Sequence, residues 1–405
     1  MNTFFYPLQK LNGFERAKEC LDTGKTCQVT GCADSQLAHF ITGLSDGYKN
    51  KVIVTFSGTK AKELYEDLKA FDKNVVLYPA KDFIFFSADV HGNVILQQRL
   101  ECIKKLVEDK PCTIVTTADG LMDKIMPLDR IKENVLEISE GSIIEMDAIR
   151  HKLVQMGYEG AEQVESPGQF AIRGSIIDIY TLTDEVPYRI DMWDDEVDII
   201  KSFEVETQRS IENLEKITIY PATDYVLTKE EIRAGIDKIK KDLKKNSEAL
   251  RKQFKTEEAH RLEVIIKEFI DNEEINENGM SFDSYVNYFY DGMVSFIDYL
   301  KDAAFFIDEP KRVDEQMKAV EMEFRDSMSN RLEKGYVLPG QTDIVWSRKT
   351  IESKLDSVKK VLFTSLDQTV KNFTVDEIAS VEAKTISPYN NKFEMLVEDL
   401  KKYKK

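Results

Sequence analysis

The chain has 405 residues, of which 42% are hydrophobic and 32% are charged, and its formal net charge is −17. This composition is typical of a globular protein with about two to four domains, because domains usually span about 100–200 residues. The negative charge argues against a general nucleic-acid binder, since most of the surface repels phosphate groups.

Hydropathy, cysteines and histidines exclude further classes of protein. No apolar run approaches the ~20 residues that a membrane span needs, and the first ten residues lack the regions of a signal peptide. We therefore expect a cytoplasmic protein with no membrane partner. The five cysteines form no C-x-x-C pair and the four histidines form no H-E-x-x-H motif. We accordingly expect no disulfide framework and no metal site, and we assign no cofactor.

Residues 1 to about 125 alternate between helix and strand patterns. The short apolar, β-branched runs 51–56 and 112–117 are typical of strands buried in a parallel sheet. The segments 59–71 and 95–109 carry apolar residues at spacings of three and four, as helices that cover such a sheet do. This alternation predicts an α/β fold.

The stretch 26–40 has the layout of a phosphate-binding loop between a strand and a helix that begins near Ser35. In a working loop, backbone N–H groups and a lysine hold the phosphates. Aligned with G-x-x-G-x-G-K-T, this sequence has lost two of the three glycines, and Asp34 stands where the lysine belongs. The degenerate loop consists of Gln28, Gly31, Ala33, Asp34 and Ser35.

These replacements predict that the loop does not bind a triphosphate. Exchanging lysine for Asp34 changes the local charge by two units, and each unit is worth at most ~4 kcal/mol at ~4 Å and an effective dielectric constant of about 20. Ala33 also hinders close approach of the backbone, because glycine is the residue that permits it. Ser35 still offers a hydroxyl group.

From about 129 to 217 the pattern changes to short runs of period two between Pro, Gly and Asp clusters. Such alternation indicates an antiparallel, β-rich unit, with one helix predicted in 145–158. In the strand 187–193, alternate side chains point to opposite faces. The buried face is predicted to hold Tyr188, Ile190 and Met192, and the polar face Arg189, Asp191 and Trp193.

Residues 228–275 form a charged, helix-forming stretch that opens with a capping-box pattern at Thr228 and Glu231. After it, the apolar run 303–307 ends in Asp308 and Glu309, as the Walker B strand of P-loop ATPases does. A Walker A loop and a Walker B strand are expected to lie side by side in one sheet, yet these two are about 275 residues apart. We therefore predict one discontinuous α/β domain that is interrupted by an inserted domain.

The segment 165–222 resembles the bacterial transcription-repair coupling factors and, more distantly, the excinuclease subunit UvrB. Its pieces F-A-I-R-G-x-I-I-D-I, P-Y-R-I-D, D-D-E-V-D-x-I and S-F-x-V-E-T-Q-R-S are a specific match, and 78–93 and 296–310 also look like this family. The resemblance covers nearly the whole chain but only the amino-terminal third or so of a full coupling factor. It implies that contacts with RNA polymerase and DNA belong to regions outside this chain.

The resemblance and the sequence patterns together predict a UvrB-like, P-loop-NTPase-like parallel-sheet domain with a small inserted β-rich α+β domain. The apolar helical stripe in 393–403 is expected to open a further domain, since a helix normally buries such a face. The predicted segments are domain 1A (1–128), domain 2 (129–217), domain 1B (218–370) and a linker with the first helix of a following domain (371–405).

In this family domain 2 binds UvrA, and the residues that carry this binding look like Arg173, Arg189 and Trp193, with Trp193 replacing the phenylalanine commonly found there. An exposed aromatic residue beside arginine is typical of interface hot spots. The alternative is that Trp193 covers the sheet edge and that Arg189 pairs with Asp191 or Glu196. The family also implies that other domains mask this surface by autoinhibitory contacts.

The expected function is that of a UvrA-recruiting module with no catalytic residues and no enzymatic activity of its own. Asp308 and Glu309 are then a Walker-B-like remnant whose side chains have a structural role or face solvent. The alternative is a UvrB-type, ATP-dependent excision-repair subunit with a functioning nucleotide site. UvrB carries an aromatic β-hairpin that clamps DNA, and the segment 80–100 is too short and too acidic for that device.

Overall fold

The computed structural model describes residues 5–81, 89–275, 283–366, 369–381, 389 and 392–404. The segment 82–88, which is part of the region 80–100 compared with the UvrB hairpin, lies outside the described residues. The strands are β1 (Cys27–Thr30), β2 (Asn50–Thr55), β3 (Val75–Tyr78), β4 (Cys112–Thr117), β5 (Leu136–Ser139), β6 (Glu159–Gly160), β7 (Gln169–Arg173), β8 (Ile176–Ile179), β9 (Tyr188–Trp193), β10 (Glu196–Phe203), β11 (Ser210–Leu214), β12 (Lys216–Ile219), β13 (Ala304–Asp308), β14 (Lys360–Thr364) and β15 (Glu377–Ser380). The helices are α1 (Tyr6–Gln9), α2 (Asn12–Thr23), α3 (Asp34–Leu44), α4 (Gly58–Lys69), α5 (Asp89–Val107), α6 (Leu128–Lys132), α7 (Met146–Gln155), α8 (Lys229–Lys252), α9 (Thr256–Ile275), α10 (Val286–Phe289), α11 (Pro310–Glu333), α12 (Arg348–Asp356) and α13 (Phe393–Tyr403).

A parallel sheet of seven strands organises the larger part of the fold, in the order β15-β1-β14-β13-β2-β4-β3. Every pair of neighbours in it is parallel. Its central strands are buried along their whole length, which explains why they are apolar throughout rather than alternating. The predicted α/β fold with a parallel sheet is confirmed.

A second sheet is built from strands that lie in the sequence between β4 and β13 of the parallel sheet. Its strand order is β11-β10-β9-β8-β7-β6. Its pairs are antiparallel except β6 with β7, and β12 pairs separately with β5. The hairpin from β9 to β10 turns at Asp194, whose φ of 58° suits a short polar side chain. This small β-rich unit agrees with the predicted fold class, whereas the boundaries assigned to the domains stay a prediction.

The two sheets share one apolar core, while the other face of the parallel sheet has its own. One buried cluster joins Val52 and Phe305 of the large sheet to Phe170 and Ile200 of the small one. A second cluster lies beneath α2, α3 and α4. The inserted unit therefore packs on the α/β domain through apolar side chains.

A third core lies under the long charged helix α8, where it packs against α9. The start of α8 has the predicted capping box. The backbone N–H of Glu231 donates to Thr228 Oγ1 at 3.2 Å, and the Glu231 carboxylate accepts from the Thr228 N–H at 2.8 Å. These two bonds satisfy donors that a helix start otherwise leaves unpaired.

One detail of the predicted organisation is wrong, and one strand was not predicted. The strand β1 and the Walker-B-like strand β13 are not neighbours, because β14 lies between them and pairs with both. Residues 377–380, which the sequence assigned to a linker, form the edge strand β15 beside β1. The parallel sheet therefore includes a strand after residue 370.

The helix α13 presents apolar side chains to solvent, among them Phe393 and Leu400, as its amphipathic pattern predicts. Within the part of the chain that the structure describes, no helix is both long enough and apolar enough to cross a bilayer.

Candidate functional sites

The degenerate loop follows β1 at the carboxyl edge of the parallel sheet, the edge where open α/β folds bind their ligands. Gly31 adopts a φ of +78°, and its N–H donates to Thr364 O of β14 at 3.1 Å. A Cβ atom on Gly31 would lie 2.5 Å from Val381 O, immediately after β15. The glycine is thus required by the close approach of the chain's own backbone.

The other loop residues divide into a buried and an exposed group. Gln28 is buried in β1, and its Nε2 donates to Thr364 Oγ1 at 3.1 Å. Ala33 has extended backbone dihedrals directly before α3, which begins at Asp34, one residue earlier than predicted. Asp34 and Ser35 are exposed on the first turn of that helix.

The charge of Asp34 is partly offset by a lysine that the sequence analysis did not single out. Lys60 Nζ lies 3.4 Å from Asp34 Oδ1, and the Lys60 side chain is only 14% exposed. Lys60 belongs to the first turn of α4, where its backbone N–H donates to the helix cap Ser57 at 3.3 Å. A cation therefore does stand near the loop, but it comes from another helix and pairs with a carboxylate.

The Walker-B-like carboxylates bind groups of the protein itself. Asp308 is buried and accepts a hydrogen bond from Thr55 Oγ1 at 2.9 Å. Burial raises the pKa of Asp308 to about 6, although Thr55 and Lys60 favour its ionised form. Glu309 has a left-handed backbone, with φ of 51°, and its Oε1 accepts from the Ser365 N–H at 2.7 Å.

In the small sheet, a buried carboxylate gathers both candidate arginines. Arg189 Nε and one terminal nitrogen donate to the two oxygens of Asp178, at 2.7 and 2.8 Å. Arg173 donates to the same carboxylate at 2.6 Å. Asp178 of β8 stands directly opposite Arg189 of β9 in the strand register. The structure thus brings Arg173 and Arg189 together around Asp178, a residue that the sequence analysis missed.

The partner of Arg189 differs from both carboxylates considered for it. Asp191 instead binds Lys201 Nζ at 2.7 Å. The guanidinium of Arg189 also donates to Gln208 Oε1 at 2.8 Å and lies 4.4 Å from the centroid of the Phe203 ring. Its side chain is only 16% exposed, whereas that of Arg173 is 44% exposed.

Trp193 is 78% exposed, and it stands on the face opposite the buried Ile190 and Met192. It is directly opposite Glu196 across the β9–β10 hairpin, and Glu196 in turn bridges to Ile143. Ile143 is 67% exposed. The three form a cross-strand row with two large apolar side chains on either side of a carboxylate, named here the apolar row. A cross-strand row of this kind shares one face of the sheet.

No group of three or more His, Cys, Asp or Glu side chains is arranged to hold a metal ion in the described ranges of the chain.

Comparison with known proteins finds one match to the inserted unit alone and others over most of the chain. Residues 136–225 match the family described as "UvrB interaction domain". Over 93% of its length, the chain is 28% identical to the transcription-repair-coupling factor of Bacillus subtilis strain 168. It is 27% identical over 93% of its length to that of Staphylococcus epidermidis strain ATCC 12228, and 26% identical to that of Staphylococcus aureus strain Mu50.

The chain spans 32% of the length of each of these relatives, which is about a third. Its residues 136–225 thus match the UvrB interaction domain, and the chain as a whole is similar to the amino-terminal part of the transcription-repair-coupling factors.

Proposed function

We propose that this chain is the UvrA-recruiting part of a transcription-repair coupling factor, and that its inserted domain docks UvrA. The observation that carries the proposal is the exposed apolar row within a segment that matches the UvrB interaction domain. Recruitment of UvrA would link a stalled RNA polymerase to nucleotide excision repair. Contacts with the polymerase and with DNA, and masking of the surface by other domains, then belong to regions outside this chain.

The apolar row supplies what a docking surface needs at its centre. Trp193 offers a large rigid ring, and Ile143 widens the apolar area on the same face. Buried aromatic anchors carry most of the binding energy in protein interfaces, and a polar rim surrounds them. Glu196 and the exposed part of Arg173 are suited to that rim.

The two arginines contribute differently to this surface. Arg173 is the more accessible and keeps N–H groups for a carboxylate of UvrA. Arg189 is engaged by Asp178, Gln208 and Phe203, so it contributes chiefly by holding the shape of β8 and β9 beneath the surface. Both residues remain candidates for UvrA binding.

The α/β domain acts in this proposal as a scaffold without nucleotide chemistry. Three contacts support this role: Gly31 packs against Val381, Asp34 pairs with Lys60, and Asp308 binds Thr55. Gly31, Asp34 and Asp308 are thus each used in a contact within the protein.

A calorimetric titration of UvrA with the full chain tests the proposal, in the presence and absence of ATP. We expect Trp193→Ala and Ile143→Ala each to weaken binding by about 2 kcal/mol, which is about 30-fold, as hot-spot residues do. Ile211→Ala is the matched control, because Ile211 is also an exposed apolar residue, 57% exposed, but lies on β11 of the same sheet. It should leave the affinity unchanged.

Two results would contradict the proposal. One is the absence of any heat of binding between UvrA and the folded chain. The other is an equal affinity for Trp193→Ala, Ile143→Ala and the control Ile211→Ala, since this would place the docking surface elsewhere.

A further inference from the structure

A single buried arginine joins the two places where the chain crosses between the α/β domain and the inserted unit. Arg99 of α5 donates from one terminal nitrogen to Asp123 Oδ2 at 2.6 Å. Its Nε donates to Asp224 Oδ2 at 3.0 Å. Asp123 precedes the segment 136–225 and Asp224 lies at its end. The side chains of all three residues are at most 2% exposed.

Two further N–H groups of Arg99 are engaged as well, so the guanidinium has one orientation. It donates to Pro79 O at 2.8 Å and to Tyr78 Oη at 2.6 Å, both at the end of β3. Lys81 adds a second cation, with Nζ 2.9 Å from Asp224 Oδ2. Because arginine presents its donors in a rigid planar fork, these contacts fix the two carboxylates relative to β3.

The helix α5 and Glu108, the residue directly after it, also contact the inserted unit. Lys104 Nζ donates to Asp184 at 2.7 Å, and Glu108 accepts from the Tyr220 hydroxyl at 2.9 Å. These two contacts are partly exposed, in contrast to the buried contacts of Arg99. Among the described residues, α5 and Glu108 thus make polar contacts at three places along the inserted unit and its crossings, and the contacts of Arg99 are the most deeply buried of them.

Apolar packing would stabilise this junction at least as well as buried charges do. Removing ions from water costs several kcal/mol per ion, and replacing a buried ion pair by apolar residues is often neutral or stabilising. An arginine that binds two carboxylates restricts the positions of both, since each hydrogen bond requires a particular geometry between donor and acceptor. The network is therefore suited to fixing an orientation.

We propose that Arg99 is a positioning residue that fixes the orientation of the inserted unit on the α/β domain by binding one carboxylate at each chain crossing. The consequence for UvrA docking rests on the proposed function above: the apolar row is then presented at one fixed angle to the rest of the protein.

Distance measurements between spin labels on the full chain test this inference. Cysteines introduced at the exposed positions Lys62 of α4 and Glu212 of β11, with Cys32→Ser to remove the one native thiol that is not buried, place one label on each unit. The parent chain should give one narrow distance distribution. Arg99→Met should broaden or shift it, whereas Lys104→Met, which removes a partly exposed contact from the same helix, should leave it narrow. An unchanged narrow distribution in folded Arg99→Met would overturn the proposal.

A second variant covers the case in which Arg99→Met does not fold. Arg99→Met combined with Asp123→Asn and Asp224→Asn removes all three charges. Lys81, which loses Asp224 in this variant, keeps its ion pair with Asp283, so no buried charge is left uncompensated. A narrow, unchanged distribution in this variant would equally reject the positioning role. UvrA affinity serves as the separate readout, because a variant that binds UvrA normally but has a broadened distribution leaves the docking proposal intact.

Hydrogen exchange of the unmodified chain gives a test that needs no variant. The N–H of Ile125, at one crossing, donates to Val294 O at 3.0 Å, and that of Ala222, at the other, donates to Met156 O at 2.7 Å. If Arg99 holds both crossings, these two amides should become exchangeable in the same opening event, with equal free energies. Clearly different opening free energies would contradict the proposal.

Discussion

Arg189 binds both carboxylate oxygens of Asp178, at 2.7 and 2.8 Å, across adjacent antiparallel strands of the small sheet. Asp178 is buried, so in Arg189→Ala the negative charge of Asp178 would keep Arg173 as its arginine partner. We expect this variant to lower the free energy of unfolding by about 2–4 kcal/mol, as loss of one partner of a buried ion pair does. Urea denaturation measures the change.

An exposed arginine provides the control for this prediction. Arg233→Ala on the solvent side of α8 should change the free energy of unfolding by less than about 0.5 kcal/mol. Equal urea midpoints for Arg189→Ala and the parent chain would show that the pair with Asp178 does not stabilise the fold. Any effect of Arg189→Ala on UvrA affinity has to be measured at a temperature where the variant is folded.

The two glycines Gly24 and Gly31 give a matched pair, because their φ values are +77° and +78°. An added Cβ meets no atom within 4 Å at Gly24 but lies 2.5 Å from Val381 O at Gly31. We expect Gly24→Ala to cost about 1 kcal/mol, the penalty of a left-handed backbone alone. Gly31→Ala should cost about 3 kcal/mol or more, because β15 must also move. Equal losses in thermal unfolding would show that the contact with Val381 is unimportant.

The local features of this fold were predictable from sequence, because local forces determine them. The run 112–117 became β4 with identical bounds, since a strand buried on both faces is apolar throughout. The capping box at Thr228 was also correct, because it depends on residues three positions apart. Alternation along β9 correctly assigned Ile190 to the core and Trp193 to the surface.

The features that were missed depend on contacts between segments far apart in the chain. The place of β14 between β1 and β13 is set by pairing across more than 300 residues, which no local pattern reveals. The strand β15 has only four residues and two of them are polar, so it resembles a loop. Asp178, Lys60 and Ile143 gained their roles from strand register and helix packing, and their own sequence surroundings gave no signal.

The stability of the protein should depend on pH through Asp308. Burial raises the pKa of this carboxyl group from its ordinary value of 3.8 to about 6. Between these values the folded chain keeps a proton that the unfolded chain has lost, so this group's contribution to stability falls as pH rises from about 4 to about 6. Above pH 6 the loss is complete and amounts to at most about 3 kcal/mol.

The variant Asp308→Asn isolates this contribution. Relative to the parent chain, its free energy of unfolding should rise by about 1–3 kcal/mol between pH 4 and pH 7.5, because the amide does not ionise. Thr55→Val should have the opposite effect at pH 7.5, since it removes the hydroxyl that donates to the Asp308 carboxylate. A difference between Asp308→Asn and the parent that is the same at both pH values would contradict the raised pKa.

Nucleotide binding by the degenerate loop would distinguish a UvrB-type ATPase from a scaffold. Asp34 repels phosphate, and Lys60, the cation close to it, is paired with that carboxylate. We therefore expect 1 mM Mg·ATP to leave the melting temperature of the chain unchanged. A site with a dissociation constant 100-fold below the ligand concentration would stabilise the fold by about 2.7 kcal/mol, which a thermal melt detects.

The double variant Asp34→Lys with Ala33→Gly is the matched comparison. It restores the cation and one of the two lost glycines of the phosphate-binding loop. It also removes the pair of Lys60 with Asp34, which leaves Glu63 Oε2, at 3.9 Å, as the carboxylate near Lys60 Nζ. We expect this variant to gain a measurable stabilisation by Mg·ATP while the parent shows none, because charge and close backbone approach are the two defects of the loop. Stabilisation of the unmodified chain by Mg·ATP, accompanied by phosphate release, would instead support a functioning nucleotide site.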